Sequence, residues 1–172
     1  MSKGLKIQEL TWMAVLIAMN VVLSKLVIGV SNIMQIGFGF VALALIGYYF
    51  GPFKAAIANV LADIIANTVF PSVGGFFWGF TLSALVAGVI YGLMLHNRKV
   101  TLLNSFLTTL LVVVIINLGM NTLWIHMMYQ TPVTALLASR LPKEALSLIY
   151  QTAFIYIILR WVQNSRFNKI GR

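Results

Sequence analysis

Six long apolar stretches make up most of this 172-residue chain, and they constrain its fold more than any other feature. They lie near residues 8–29, 32–50, 53–70, 75–96, 101–129 and 144–162. A helix needs roughly 20 predominantly apolar residues to cross a bilayer, and 60% of this chain is hydrophobic whereas 9% is charged. The sequence therefore predicts an all-α integral membrane bundle of six transmembrane helices. The connections are too short for a second folded module, so residues 1–172 are expected to form a single domain.

The distribution of Lys and Arg predicts the orientation of this bundle, because cytoplasmic flanks carry the excess of positive charge. Lys25, Arg140 and Lys143 fall on one side of the six-helix arrangement. All other basic residues fall on the opposite side: Lys3, Lys6, Lys54, Arg98, Lys99, Arg160, Arg166, Lys169 and Arg172. Both termini are therefore expected in the cytoplasm, and the chain is expected to be a multi-pass protein of the cell membrane, in contact with membrane lipid. The net charge of +9 is explained by this topology, and no nucleic-acid partner is expected.

The chain lacks the patterns that are typical of enzymes, nucleotide sites and metal sites. It has no cysteine, no P-loop, and no zinc-protease or serine-hydrolase motif. Its acids are Glu9, Asp63 and Glu144, and its two histidines, His96 and His126, are assigned to opposite membrane faces. We therefore expect no catalytic residue, no metal and no cofactor. If ATP drives this protein, another chain must hydrolyse it.

Polar side chains inside the predicted helices are the first candidates for function, because they cost free energy in hydrocarbon. Asn59, Asp63 and Asn67 recur every four residues and so share one face of the third predicted helix. The corresponding residues of the fifth predicted helix are Asn117, Asn121 and Trp124. Such groups also join helices by hydrogen bonds. Both interpretations stay open for Asn59 and Asp63, whereas the position of Asn67, Asn121 and Trp124 nearer the outer end favours a ligand pocket.

The outer face of the predicted bundle gathers aromatic and basic side chains. Phe76, Phe77, Trp78 and Phe80 follow a flexible Ser-Val-Gly-Gly segment. Each ring alone is explained as an interfacial anchor, but the cluster beside a glycine hinge is interpreted as the lid and wall of a pocket. Four further side chains are expected at the same level: Lys25, Gln35, Arg140 and Lys143. A lone Lys25 can snorkel to the interface, yet three cations on this face suit an anionic ligand such as a carboxylate.

The first predicted helix carries Ala14 and Ala18, a spacing of small residues that lets another helix approach closely. Alanine is frequent in membrane helices. On the pattern alone, packing within the bundle is the simpler explanation of the pair.

Several short segments carry a family resemblance that runs through nearly the whole chain. They are Ala14-Val-Leu-Ile-Ala18, Asn20-Val-Val-Leu-Ser-Lys25, Ile36-Gly-Phe-Gly-Phe40, Gly47-Tyr-Tyr-Phe-Gly-Pro52, Ala62-Asp63 with Phe70-Pro71, Gly79-Phe-Thr-Leu-Ser-Ala84, Ile90-Tyr-Gly-Leu93, Asn121-Thr-Leu-Trp124, and Arg140 with Lys143-Glu144. In this order they resemble the substrate-binding S components of energy-coupling factor (ECF) transporters, in the branch that takes up folate and pantothenate.

The resemblance implies a six-helix subunit that captures a vitamin outside the cell. Its implied partners are a transmembrane coupling protein and two ATP-binding-cassette ATPases, and Ala14 and Ala18 are expected to press against the coupling helices. The expected substrate-binding residues are Lys25, Gln35, Asn59, Asn67, Phe76, Trp78, Asn121, Trp124, Arg140 and Lys143.

Few positions distinguish the two vitamins of this branch. Folate members tend to carry Arg where this chain has Lys25, and Pro where it has Ala42 and Trp78. One cation with a few amide and hydroxyl partners is enough for pantothenate, so the sequence favours pantothenate, with folate as the alternative. The competing classes are a small channel, with polar rings along a pore, and a structural membrane subunit. Vitamin binding by the purified chain separates these classes.

Overall fold

The computed structural model describes residues 7–28, 36–70 and 76–165, and most of these residues are helical. The helical elements are α1 (Ile7–Lys25), α2 (Gly39–Val69), α3 (Trp78–Leu95), α4 (Leu102–Leu111), a π-helix (Val112–Met120), α5 (Asn121–Tyr129) and α6 (Val133–Asn164). Five helical stretches within the described ranges are long and apolar enough to cross a membrane: Ile7–Lys25, Gly39–Val69, Trp78–Leu95, Leu102–Tyr129 and Val133–Asn164. The predicted helical, membrane-type architecture is confirmed.

Gly51 divides α2 into two antiparallel segments, residues 39–50 and 52–69. Gly51 has a φ of 74°, in the left-handed region that favours glycine. Pro52 then begins the second segment, where its missing N–H costs no helical hydrogen bond. Gly39 and Ala66 line the same cavity, whereas a straight helix would hold them about 40 Å apart. The break predicted at Gly51-Pro52 is therefore present.

The second segment of α2 packs against α3 with the two backbones nearly in contact. A Cβ atom added to Gly92 would lie 2.2 Å from the Cα of Pro52, and one added to Gly88 would lie 2.7 Å from the carbonyl oxygen of Ala55. The α2 face in this region is made of small buried residues: Ala55, Ala58, Ala62 and Ala66. Small residues at a contact let membrane helices approach closely, and this pair of helices forms one wall of the candidate site.

The two ends of the bundle are named here the His96 end and the Lys25 end. At each end, the named side chain forms a hydrogen bond with a backbone carbonyl oxygen. At the His96 end, Nδ1 of His96 lies 2.9 Å from the carbonyl oxygen of Tyr48, which can only accept, so Nδ1 carries the proton. At the Lys25 end, Nζ of Lys25 donates a 2.8 Å hydrogen bond to the carbonyl of Phe70. Between these ends lies the apolar core, which includes Phe40, Ala44, Tyr91, Ile116, Ile155 and Leu159.

The predicted boundaries between the first two helices are wrong. The first helix ends at Lys25 rather than near residue 29, and α2 begins at Gly39 rather than at residue 32. A short antiparallel pair explains the difference, since β1 (Val27–Ile28) pairs with β2 (Ile36–Gly37). Backbone groups that a helix would have satisfied are bonded between these two strands instead.

The long connection implied between the predicted stretches 101–129 and 144–162 is also wrong, because α6 begins at Val133. Pro132 directly precedes the helix, and Pro142 lies inside it. Two prolines favour a loop in soluble proteins, but membrane helices tolerate proline because neighbouring groups satisfy the freed backbone. The longer helix places Arg140, Lys143 and Glu144 on a regular element that packs against the π-helix.

Candidate ligand-binding site

Two adjoining cavities lie in the half of the bundle nearer the Lys25 end. The Asp63 cavity has a volume of about 210 Å³, and the Asn121 cavity has a volume of about 230 Å³. Both are bounded by Phe40, Leu43 and Ala84, so one thin wall separates them. The Asp63 cavity is further lined by Asn20, Ser24, Gly39, Asn59, Ala62, Asp63 and Ala66. The Asn121 cavity is further lined by Phe80, Ser83, Ala87, Tyr91, Val112, Ile116, Asn117, Asn121 and Gln151.

Asn59 lines the Asp63 cavity with unused hydrogen-bonding groups. Its side chain is 1% exposed, and neither Oδ1 nor Nδ2 has a hydrogen-bond partner among the described residues. A buried polar group without a partner costs about 1–3 kcal/mol. Of the two roles left open by the sequence, the absence of any interhelical bond at Asn59 favours ligand binding.

Asp63 lies one helical turn from Asn59 and joins α2 to α3. Its Oδ2 accepts a 2.8 Å hydrogen bond from the hydroxyl of Thr81, and its Oδ1 accepts one of 3.1 Å from Nδ2 of Asn67. The same Asn67 nitrogen donates to the backbone carbonyl of Asp63 at 2.9 Å. Asn67 therefore supports Asp63, and it is not among the residues that line either cavity.

The Asn121 cavity also contains unused polar atoms. Within the described ranges, the Oδ1 atom of Asn121 and the hydroxyl of the fully buried Tyr91 have no hydrogen-bond partner. Gln151 lines the same cavity and donates from Nε2 to the hydroxyl of Ser147 at 2.7 Å. The two cavities together thus present an apolar wall with a few unpaired amide and hydroxyl groups, as small-molecule sites commonly do.

The π-helix brings the backbone of Asn117 to two side chains at the edge of this cavity. The Asn117 carbonyl accepts hydrogen bonds from Nη1 of Arg140 at 3.1 Å and from the hydroxyl of Thr122 at 3.2 Å. Nδ2 of Asn117 donates to Oε2 of the buried Glu144 at 2.8 Å. Arg140 and Glu144 lie one turn apart on α6 and hold the π-helix in place. Arg140 is thus engaged with protein groups, although the sequence suggested that it faces an anion.

Trp124 does not line the Asn121 cavity but bonds to a residue of α3 that does. Its indole Nε1 donates a 3.0 Å hydrogen bond to the hydroxyl of Ser83, and its ring centroid lies 5.9 Å from that of Phe77. Phe76 and Trp78 instead pack against each other, with centroids 4.9 Å apart, and are 42% and 71% exposed. The predicted aromatic cluster is therefore split into two pairs of rings. Phe80 lines the Asn121 cavity and Phe77 packs against it, whereas Phe76 and Trp78 do not line the cavity.

The remaining predicted binding residues lie apart from one another. Lys25 is exposed and lines neither cavity, but its Nζ bonds the carbonyl of Phe70, four residues beyond Ala66 of the Asp63 cavity. Lys143 is half-buried on α6, near Arg140. Gln35 lies outside the described residues.

Comparison with known proteins assigns the family. Residues 8–159 match the family described as ECF transporter, substrate-specific component. The chain belongs to this family of S components. It is therefore a multi-pass membrane protein that binds a transported substrate, and it is not an enzyme.

Curated relatives of this S component are named folate transporters. A folate transporter FolT from Clostridium novyi (strain NT) is 36% identical over 168 residues, covering 97% of each chain. A folate transporter FolT from Leuconostoc mesenteroides subsp. mesenteroides is 30% identical over 158 residues, covering 88% of this chain and 84% of the relative. A crystal structure of FolT bound with folic acid superposes with a TM-score of 0.82 and 35% identity, over 89% of this chain and 93% of that one. These findings favour folate over pantothenate, the reverse of the preference drawn from the sequence.

Ala14 and Ala18 lie on the exposed side of α1 in this S component. The buried side of the same helix carries Met13, Leu16 and Val21. The alanine pair is therefore directed away from the bundle, and packing among the described residues does not explain it.

The sequence missed several residues that line the cavities, chiefly Asn20, Ser83, Tyr91 and Gln151. Asn20 lies four residues from Ser24, and Gln151 lies four residues from Ser147, so helical spacing was a signal for these two. Ser83 and Tyr91 have no polar residue at such a spacing on α3, and their contribution depends on which helices pack together. Asn117 did share the spacing of Asn121, and that spacing was the signal that placed it.

Proposed function

We propose that this S component binds folic acid or a closely related folate and presents it for ATP-driven uptake. The observation that carries the proposal is the pair of adjoining cavities with unpaired amides, Asn59 in one and Asn121 in the other. An elongated ligand with a heterocycle and an acidic tail suits two adjoining cavities better than a compact ligand does. The names of the curated relatives and the folic acid in the similar crystal structure support the same choice.

In this proposal, Asn59 and Asn121 hydrogen-bond the ligand, and the exposed Lys25 pairs with a ligand carboxylate. Trp124 shapes the wall of the Asn121 cavity through its bond to Ser83. Arg140 and Asn67 act indirectly, through the π-helix and Asp63 respectively. Lys143 is a second cation for the anionic end of the ligand, and Phe76, Trp78 and Gln35 remain proposals for the entrance.

We also propose a single domain with six spanning segments and both termini in the cytoplasm. Each segment of α2 runs between the two ends of the bundle, since Gly39 approaches Ser24 and Gly51 approaches His96. Both ends of the described chain lie at the His96 end, where Met13 and Val162 share a cluster. That end carries several basic residues, as a cytoplasmic face does: Lys54, Arg98, Lys99 and Arg160.

The proposed partners are a transmembrane coupling protein and two ATP-binding-cassette ATPases, with Ala14 and Ala18 on the contact face. The chain itself carries no phosphate-binding loop. The S component should therefore bind its vitamin alone but should accumulate it only with those partners.

Uptake into proteoliposomes tests this function. Vesicles with the S component, the coupling protein and both ATPases should accumulate radiolabelled folic acid when ATP is supplied, and vesicles with the S component alone should not. A module with hydrolysis-deficient ATPases serves as the control. ATP-dependent accumulation by the S component alone, or downhill ion flux through it, would instead indicate a complete transporter or a channel.

A further inference from the structure

Asp63 is a carboxylate placed in a membrane-spanning helix, and no Lys or Arg among the described residues forms an ion pair with it. Among the described residues, the ion pair that the structure shows is Lys54 with Glu9, whose atoms lie 3.0 Å apart at the other end of the bundle. The partners of Asp63 are the neutral groups of Thr81 and Asn67. Carboxylates inside membrane segments are costly and are kept for a function. Two neutral donors leave each carboxylate oxygen with acceptor capacity, because a carboxylate offers about four lone-pair sites.

Asn59 complements this carboxylate on the same wall of the Asp63 cavity. The two residues are four apart on α2 and line one cavity. Among the described residues, Asn59 has an unpaired donor, Nδ2, and an unpaired acceptor, Oδ1. The residue is only 1% exposed to solvent. This wall of the cavity therefore offers the two carboxylate oxygens of Asp63 as acceptors. Beside them, Asn59 offers one donor, Nδ2, and one acceptor, Oδ1.

The remaining walls of the Asp63 cavity suit a flat ring. Ala62 and Ala66 belong to the small-residue face of α2, and Phe40 and Leu43 lie on its antiparallel segment. Asn59 and Ala66 are seven residues apart, so the α2 wall of the cavity extends over about 10 Å along the helix axis, and its polar part, Asn59 to Asp63, over about 6 Å. This length accommodates a bicyclic heterocycle that lies along the helix.

We propose that Asp63, together with Asn59, recognises the 2-amino-4-oxo edge of the pteridine ring of folate. That edge carries two adjacent N–H donors, the 2-amino group and N3–H, next to the O4 acceptor. The Asp63 carboxylate accepts both N–H bonds, as carboxylates do from paired donors, and Nδ2 of Asn59 donates to O4. The proposal rests on the proposed folate function and names the residues that select the heterocycle.

The test compares two ligands on the wild type and on Asp63→Asn. The ligands are folic acid and its 2-desamino-2-methyl analogue, which lacks the 2-amino donor and keeps the rest of the molecule. Asp63→Asn is nearly isosteric but replaces one acceptor oxygen with a donor. The proposal predicts that Asp63→Asn binds folic acid roughly tenfold to hundredfold more weakly. It also predicts that the wild type binds the analogue more weakly than it binds folic acid. The Asp63→Asn change should then weaken binding of the analogue by less than about threefold.

Thr81→Val is the matched control, because it removes a hydrogen bond to Asp63 but keeps the carboxylate. It should weaken the two ligands by the same factor. Equal weakening of both ligands by Asp63→Asn would show that Asp63 only joins α2 to α3, and unchanged affinity for folic acid would also overturn the proposal.

The wild-type comparison does not depend on any variant folding. Equal affinity of the wild type for folic acid and the desamino analogue overturns the proposal by itself. A wild type that binds neither folate but does bind another vitamin contradicts the proposed function, and the recognition inference is then overturned with it.

Discussion

The indole Nε1 of Trp124 and the hydroxyl of Ser83 are joined by a 3.0 Å hydrogen bond that connects α5 to α3 beside the Asn121 cavity. Ser83 lines that cavity and is 4% exposed. The bond therefore ties Trp124, which does not itself line the cavity, to a residue of the cavity wall. The same bond gives the indole N–H of Trp124 a hydrogen-bond partner, while the ring itself packs against Phe77.

Trp124→Phe should weaken folic acid binding by roughly twofold to tenfold. The change keeps an aromatic ring beside Phe77 but removes the indole donor, and a neutral hydrogen bond contributes about 0.5–1.5 kcal/mol. Isothermal titration of the detergent-purified variant measures the effect. Trp161→Phe is the matched control, since Trp161 is 64% exposed on α6 and lies away from both cavities. Equal losses in the two variants would show that the Ser83 bond has no specific role.

Lys25→Met should weaken folic acid binding roughly tenfold to hundredfold if Lys25 pairs with a ligand carboxylate. A charge-assisted bond contributes about 1.5–3 kcal/mol where the bound ligand excludes water from the exposed Lys25, and each 1.4 kcal/mol is tenfold in affinity. Because Lys25 also bonds the carbonyl of Phe70, the ligand must be varied as well. The wild type should bind folic acid with amidated carboxylates only weakly. The Lys25→Met change should lower the affinity for this analogue only a little further.

Lys54→Met is the control for the Lys25 experiment, because it removes a cation at the opposite end of the bundle. It should leave folic acid affinity unchanged. If Lys25→Met also leaves the titration unchanged, Lys25 only snorkels, and Lys143 becomes the next candidate for the anionic end of the ligand.

Replacing Ala14 or Ala18 with Trp should reduce transport by the complete ECF complex while vitamin binding by the S component is kept. Both alanines lie on the exposed side of α1, and a bulky ring there prevents close approach of another helix. Transport in proteoliposomes and binding in detergent are measured on the same preparation. Leu85→Trp places the same ring on the exposed side of α3 and should preserve transport. Parallel loss of binding and transport in the alanine variants would contradict a role at a partner interface.

Gly92→Ala should lower the thermal stability of the S component, because the added methyl group would lie 2.2 Å from the Cα of Pro52. Overpacking of this kind costs about 1–3 kcal/mol, and here the obstacle is backbone at the α2 reversal. The matched control is Gly37→Ala, whose new methyl group would have no atom of the described residues within 4 Å. A melting temperature for Gly92→Ala equal to that of the wild type would mean that α2 and α3 separate easily.

The sequence predicted the helical architecture because hydropathy depends on each segment alone. It also predicted the break at Gly51-Pro52, where a glycine with positive φ precedes a proline. The prolines at 132 and 142 misled the prediction, since their effect depends on whether neighbouring groups can satisfy the backbone. Spacing placed Asn59 and Asn121 at cavity walls, but Ser83 and Tyr91 became visible only once the helices were packed.

The preference for pantothenate failed because two of the three positions on which it depended, Ala42 and Trp78, do not line the cavities. Ala42 is fully buried and lines neither cavity, and Trp78 is 71% exposed and packs on Phe76. Lys25 keeps the positive charge that an arginine would supply. None of the three differences removes a feature that a folate requires, and a sequence without its structure could not reveal this.

The most direct test of the account is the affinity of the purified wild-type chain for folic acid and for pantothenate, measured by isothermal titration without nucleotide. The unpaired amides of Asn59 and Asn121 in adjoining cavities predict saturable binding of one folic acid per chain. Pantothenate is expected to show no saturation over the same concentration range. Saturable binding of pantothenate without binding of folic acid, or no binding of either vitamin, would contradict the proposed function.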